Sequence, residues 1–89
     1  MPDYTVDIKT SARRALDSLP RPVRERIARA ITRLANDPRP PRCKQLTATS
    51  PVLYRVPVGS YRVVYEIRDR ELLVMVVKVA KRARVYDDL

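Results

Sequence analysis

The stretch from Val52 to Ala80 constrains this chain most, because apolar residues there recur with a period of two instead of a helical period. Val52–Val58 reads as one strand, Gly59-Ser60 as a tight turn and Tyr61–Ile67 as the next strand. Asp69-Arg70 makes a second short connection, and Glu71–Ala80, very rich in Val, is a third strand. Connections this short join antiparallel neighbours, so the segment predicts a β-meander.

Upstream the pattern changes. Tyr4–Ile8 alternates, with Tyr4, Val6 and Ile8 on one side of a first strand, and Thr10 or Ser11 is a good N-cap after it. Ala12, Ala15, Leu16 and Leu19 then fall on one face of a short helix, with Arg13 and Arg14 pointing outward. Pro20-Arg21-Pro22 breaks that helix and puts Pro22 in the first turn of a second. Its apolar stripe is Val23, Ile27, Ala30, Ile31 and Leu34. Arg21, Arg24, Arg26, Arg29 and Arg33 lie mostly off the stripe, and Glu25 is spaced to support Arg29 at i+4. Asn36-Asp37-Pro38 stops the helix, and Pro38 to Pro51 is a long irregular stretch carrying Arg39, Arg42 and Lys44. The order is β-α-α-β-β-β. Residues 1–89 read as one α+β domain, an N-terminal helical hairpin packed on a small, mostly antiparallel sheet whose other face stays partly open.

Charge narrows the partners. Nineteen Lys and Arg against ten Asp and Glu leave a formal charge of +9, which self-repels unless a polyanion or an acidic protein is near. Nucleic acid is the first candidate and an anionic membrane the second. There is no His and a single cysteine, Cys43, so no Cys/His zinc site, no intramolecular disulfide and no metal or cofactor is expected. No apolar run reaches the ~18–20 residues of a membrane span, and no secretory signal core is present, which makes the cytoplasm the expected location.

Period-two arithmetic sorts the sheet. Tyr61, Val63, Tyr65 and Ile67 should face the helices, with Tyr54, Val56 and Val58 beside them. Arg62, Val64, Glu66 and Arg68 take the other side, with Leu53, Arg55 and Pro57 on the preceding strand. In the third strand both parities are apolar until Lys78, so periodicity does not orient it; Lys78, Ala80 and Arg82 share one side if the strand runs that far. Arg55 and Arg62 thus project beside each other, with Lys81, Arg82 and Tyr86 near the end of the sheet. Several cations on one face with a nearby aromatic point to phosphate and base contacts.

The segments Tyr54-Arg55-Val56-Pro57-Val58-Gly59-Ser60-Tyr61-Arg62-Val63-Val64-Tyr65-Glu66-Ile67 and Val79-Ala80-Lys81-Arg82-Ala83-Arg84-Val85-Tyr86 resemble the RelE/ParE toxin superfamily, most closely RelE-type toxins of bacterial type II toxin–antitoxin pairs. The resemblance covers nearly the whole chain. It implies an endoribonuclease that enters the ribosomal A site, cuts translated mRNA and is neutralised by a cognate antitoxin with an acidic or amphipathic helical segment. Cleavage would proceed by attack of the ribose 2′-OH on the adjacent phosphate, which needs a proton acceptor, charge stabilisation and a proton for the departing 5′-oxygen.

Carried over by position, the resemblance implies that Arg62 stabilises the developing phosphate charge and that Arg82 does the same or assists the leaving oxygen. Arg55 stands where the family has a basic strand residue. Tyr86 matches a C-terminal tyrosine that stacks on a base or acts as general base, or else anchors the chain on the sheet. Lys44, Lys78, Lys81 and Arg84 are the further RNA-binding candidates. The family often carries a second basic residue two positions after the first; here that position is Pro57, and Lys78, Lys44 or Lys81 would have to replace it. Two alternatives follow from this departure: a ParE-like gyrase poison on the same fold, and a catalytically inactive basic homologue.

Overall fold

The computed structural model of the chain describes residues 3–47 and 49–82. Its elements are β1 (Thr5–Ile8), α1 (Thr10–Asp17), α2 (Arg21–Arg33), β2 (Lys44–Gln45), β3 (Leu53–Val58), β4 (Tyr61–Arg68) and β5 (Leu73–Lys81). The strands form one five-stranded sheet in the order β1-β5-β4-β3-β2. β1 pairs parallel to β5, and the other neighbours are antiparallel. The α+β order expected from the sequence is observed, with the short strand β2 added.

The helices are held by burial more than by their own ends. At eight residues α1 is too short to persist alone, and it persists here by burying Ala12 and Leu16 against β5. Lys9 occupies its N-cap, where Thr10 or Ser11 was expected, and no side chain caps it. The reason lies in the sheet: the Lys9 N–H donates to the Val76 carbonyl at 2.8 Å, so the β1–β5 ladder fixes the start of the helix and draws Thr10 into its first turn. In α2, Ile27, Ile31 and Leu34 are buried, as the stripe predicts. Glu25 pairs with Arg21, at 3.0 Å, and not with Arg29.

The core lies between the helices and one face of the sheet, where Val63, Tyr65, Val74 and Val76 are fully buried against Ile27 and Leu34. Each large apolar side chain removed from water in this way contributes roughly 1.5–3 kcal/mol. The meander turns are local. Gly59 has a φ of +61° and is followed by Ser60 without a positive φ, the pattern of a type II′ hairpin turn. After β4, a single 3-10 turn over Asp69–Glu71 ends at Leu72, an exposed residue with φ 50° and ψ 48°.

The proline-rich stretch is well anchored. The Tyr65 hydroxyl donates to the Pro38 carbonyl at 2.8 Å, and burial pushes that phenol's pKa up. Arg39 lies 5.4 Å from the centroid of the Tyr54 ring and reaches both carboxylate oxygens of Asp69, at 3.0 and 3.3 Å. Tyr4 donates to the same carboxylate at 2.7 Å. One turn residue therefore ties the start of the chain to the irregular segment.

Candidate active site on the sheet

The ladder register decides which cations share the face turned away from the helices. Lys44 pairs with Arg55, Arg55 with Val64, and Val64 with Lys78. Directly opposite residues of an antiparallel pair point to the same face with Cβ atoms about 4.5–5.5 Å apart, so these four form one cross-strand row. The next row is Pro57, Arg62 and Ala80. The row on the other side is Leu53, Glu66 and Met75, and Glu66 is held by Arg68 at 3.1 and 3.4 Å. The acidic charge of this face is thus matched locally, and the other two rows carry Lys44, Arg55, Arg62 and Lys78.

Lys78 reaches this face because of one extra residue. Val64 pairs with Lys78 but Tyr65 pairs with Val76, so Val77 is a bulge. On one side of the bulge Val74 and Val76 face the core, and on the other side Val79 does. A three-residue step between Val76 and Val79 is why both parities of this strand are apolar in sequence.

The centre of this face is less open than the alternation predicts. Arg62 is only 8% exposed and Val64 1%. Arg62 lies on β4 between Pro57 and Ala80, both small in reach, and one Nη donates to the Tyr61 carbonyl at 3.1 Å. Arg55 and Lys78 are half-buried, while Lys44 at the sheet edge is exposed. Arg82 is exposed at the end of β5, where its N–H donates to the Ser60 carbonyl at 3.0 Å. Lys81 pairs with Tyr61 and so belongs to the helix-facing parity, exposed at the strand end. Tyr86 and Arg84 lie outside the described residues.

Pro57 has a backbone reason to be where it is. The Leu46 N–H donates to the Leu53 carbonyl at 2.8 Å, so Leu53, Arg55 and Pro57 turn their backbone groups away from β4. β2 starts at Lys44, opposite Arg55, and pairs no further along β3. Pro57 therefore sits where an N–H would lack a ladder partner, which is the place proline tolerates in a sheet.

Sequence reasoning missed the Arg39–Asp69–Tyr4 cluster. Neither the Asp69 turn nor the Pro38–Pro51 stretch has a periodicity from which their contact could be read. Among the described residues, no group of three or more His, Cys, Asp or Glu comes together as a metal site, and no helix is long and apolar enough to cross a membrane.

This arrangement of strands and helical hairpin has relatives. Residues 6–86 match the family model of the ParE toxin of type II toxin–antitoxin systems. The chain belongs to that toxin family. The toxin also superposes on solved RelE structures, which sets it in the wider RelE/ParE superfamily. In the archaeal RelE–RelB complex from Pyrococcus horikoshii the match has a TM-score of 0.81 and 29% identity, over 92% of this toxin and 98% of the other chain. In the RelBE2 toxin–antitoxin complex from Mycobacterium tuberculosis it has a TM-score of 0.80 and 29% identity, over 92% and 100%. The isolated RelE toxin of E. coli gives 0.70 and 28%, over 96% and 92%. No curated protein sequence matches the toxin.

Proposed function

We propose that this toxin is a ribosome-dependent mRNA endoribonuclease that inhibits translation in the cytoplasm. The observation that carries the reading is the shared face of Arg55, Arg62 and Lys78, two cross-strand rows of cations in a chain without histidine. In-line attack of a ribose 2′-oxygen gathers negative charge on the phosphoryl oxygens, and fixed guanidinium groups stabilise that charge without a metal. Arg62 and Arg55 take this role, and Arg82 meets the phosphate or the leaving 5′-oxygen. Tyr86 is the proton acceptor or the stacking partner of a base. Lys44, Lys78, Lys81 and Arg84 hold the flanking backbone. With no imidazole to shuttle protons, the ribosome orients the message and completes the site. The partner that silences the toxin is a cognate antitoxin whose acidic or amphipathic segment meets the basic surface; the Pyrococcus horikoshii and Mycobacterium tuberculosis relatives are complexes of RelE with RelB.

The test is mRNA cleavage in a purified translation system, read by 5′-end mapping. Arg62→Ala combined with Arg82→Ala should lower the cleavage rate by about 10²-fold or more. Unchanged cleavage would remove the proposed site.

Pro57 favours a second reading. It stands directly opposite Arg62, where a cation would complete the phosphate site, and the matching family model is that of ParE. On this reading the toxin is a gyrase poison. Induction would then leave mRNA intact and produce gyrase-dependent DNA breaks. A catalytically inactive homologue would give neither, and no growth arrest.

A further inference from the structure

An arginine from the helical layer reaches the turn between β3 and β4. A Cβ placed at Gly59 would stand 3.5 and 3.6 Å from the two Nη atoms of Arg26, so the guanidinium of this α2 residue covers the turn. The end of β5 meets the same turn: the Arg82 N–H donates to the Ser60 carbonyl at 3.0 Å, and Lys81 pairs with Tyr61. Arg26, Lys81 and Arg82 are exposed, and none forms an ion pair among the described residues. Among those residues the N–H groups of Gly59 and Ser60 and the Ser60 hydroxyl make no hydrogen bond either. Three cations and three donors therefore surround one glycine.

We propose that this hairpin tip holds a backbone phosphate of the RNA strand, the one flanking the phosphate at Arg62, with Arg26 as its main cation. The inference rests on the RNA reading of the preceding section and adds a residue from the opposite layer to it. Continuity favours it: Ser60 precedes Arg62 by two residues, about 7 Å along a strand, and an Arg62 Nη donates to the Tyr61 carbonyl between them. A strand crossing Arg62 thus leaves the sheet over the tip. Glycine has no Cβ to keep a phosphate from the turn N–H groups, and a guanidinium fork pairs phosphate oxygens bidentately. The depression between Val23, Arg26, Ile27 and the turn is only about 40 Å³, too small to seat a base or the anchoring side chain of a protein partner. Contact here is with the backbone alone, so it adds affinity without reading sequence.

Gly59 is the only glycine in the chain, so isotope labelling of glycine nitrogen gives a single amide resonance, located at the proposed site. The probe is 2′-O-methyl hexauridylate, which lacks the attacking hydroxyl and is not cleaved. Titrated into the full chain at about 0.05 M salt, it should move the Gly59 resonance in step with binding followed by fluorescence anisotropy. Arg26→Gln should reduce the slope of log K against log salt by about 0.7, the loss of one contact to a single strand, and Arg26→Lys should restore most of it. Arg14→Gln, the same change of charge on α1, should leave the slope unaltered. In the purified translation system Arg26→Gln should raise KM severalfold with kcat little changed, because this contact is made equally in the ground and transition states. A Gly59 resonance that stays fixed while the strand binds, an equal change of slope in Arg26→Gln and Arg14→Gln, no strand binding at low salt, or equal movement of the resonance by a hexaglutamate peptide would overturn the proposal. The resonance is read on the unsubstituted chain, so the test stands even if a substitution disturbs α2. The titration contains neither ribosome nor message, so its failure leaves the cleavage reading untouched, and absence of cleavage by the unsubstituted toxin would sink that reading without moving the resonance.

Discussion

Pro57 and Arg62 face each other across the β3–β4 ladder, on the side of the sheet turned away from the helices. A side chain placed at position 57 therefore projects beside the Arg62 guanidinium, and the backbone there makes no demand for an N–H. Pro57→Lys should fold normally and raise the rate of message cleavage by about tenfold, the effect of one added phosphate contact worth roughly 1.4 kcal/mol. An unchanged rate, measured in the purified translation system, would mean that the substrate phosphate does not pass between these positions.

Lys78 provides the complementary test. It stands across from Val64, in the same row as Arg55, because of the Val77 bulge. Lys78→Ala should reduce cleavage by about tenfold with little change in melting temperature, since no apolar core contact is lost. If Lys78 supplies the cation that Pro57 does not, Lys78→Ala should cost much less than tenfold in the Pro57→Lys background, so the double variant should cleave faster than wild type. A full tenfold loss in that background, which by simple additivity returns the double variant to the wild-type rate, would count against that substitution of roles.

The Asp69 cluster predicts a pH dependence. Hydrogen bonds from Arg39 and Tyr4 hold the Asp69 carboxyl below the ordinary carboxylate range. A depressed carboxyl pKa stabilises the folded state above the unfolded-state value and loses that contribution as pH falls through the folded value. The wild-type melting temperature should therefore drop more steeply than that of Asp69→Asn as pH is lowered from about 5 towards 2. Parallel curves would show that the cluster adds nothing to acid stability.

Leu72 carries local strain. A leucine in the left-handed region costs roughly 1–2 kcal/mol, and its exposed side chain recovers little of that by packing. Leu72→Gly or Leu72→Asn should raise the melting temperature by several degrees, since about 1 kcal/mol shifts a domain of this size by roughly 4–8 °C. A fall would mean that Leu72 packs more favourably than its exposure indicates.

The meander and the two helices were legible because one face of each is buried, which imposes a strict period on residues such as Val63, Tyr65, Ile27 and Ile31. The faces of Arg55 and Arg62 followed from the same alternation. Besides the Asp69 cluster, three features were not legible. The Val77 bulge breaks the alternation that would have oriented β5, so Lys78 could be set on one side only conditionally. The two-residue β2 is too short to show a period, and it forms because Leu46 and Lys44 find an edge on β3. The burial of Arg62 depends on its central strand and short-reaching neighbours, which a one-dimensional pattern does not encode.

The parallel pairing of β1 with β5 carries a consequence for the timing of biosynthesis. Thr5 finds its partner in Leu73, and Ile8 finds its partner in Val76. Until β5 has been synthesised, β1 has no neighbour, α1 has no strand to cover and Arg62 has no Ala80 beside it. The nascent toxin therefore cannot close its sheet, or bring Lys78 beside Arg55 and Arg62, until β5 has emerged from the ribosome.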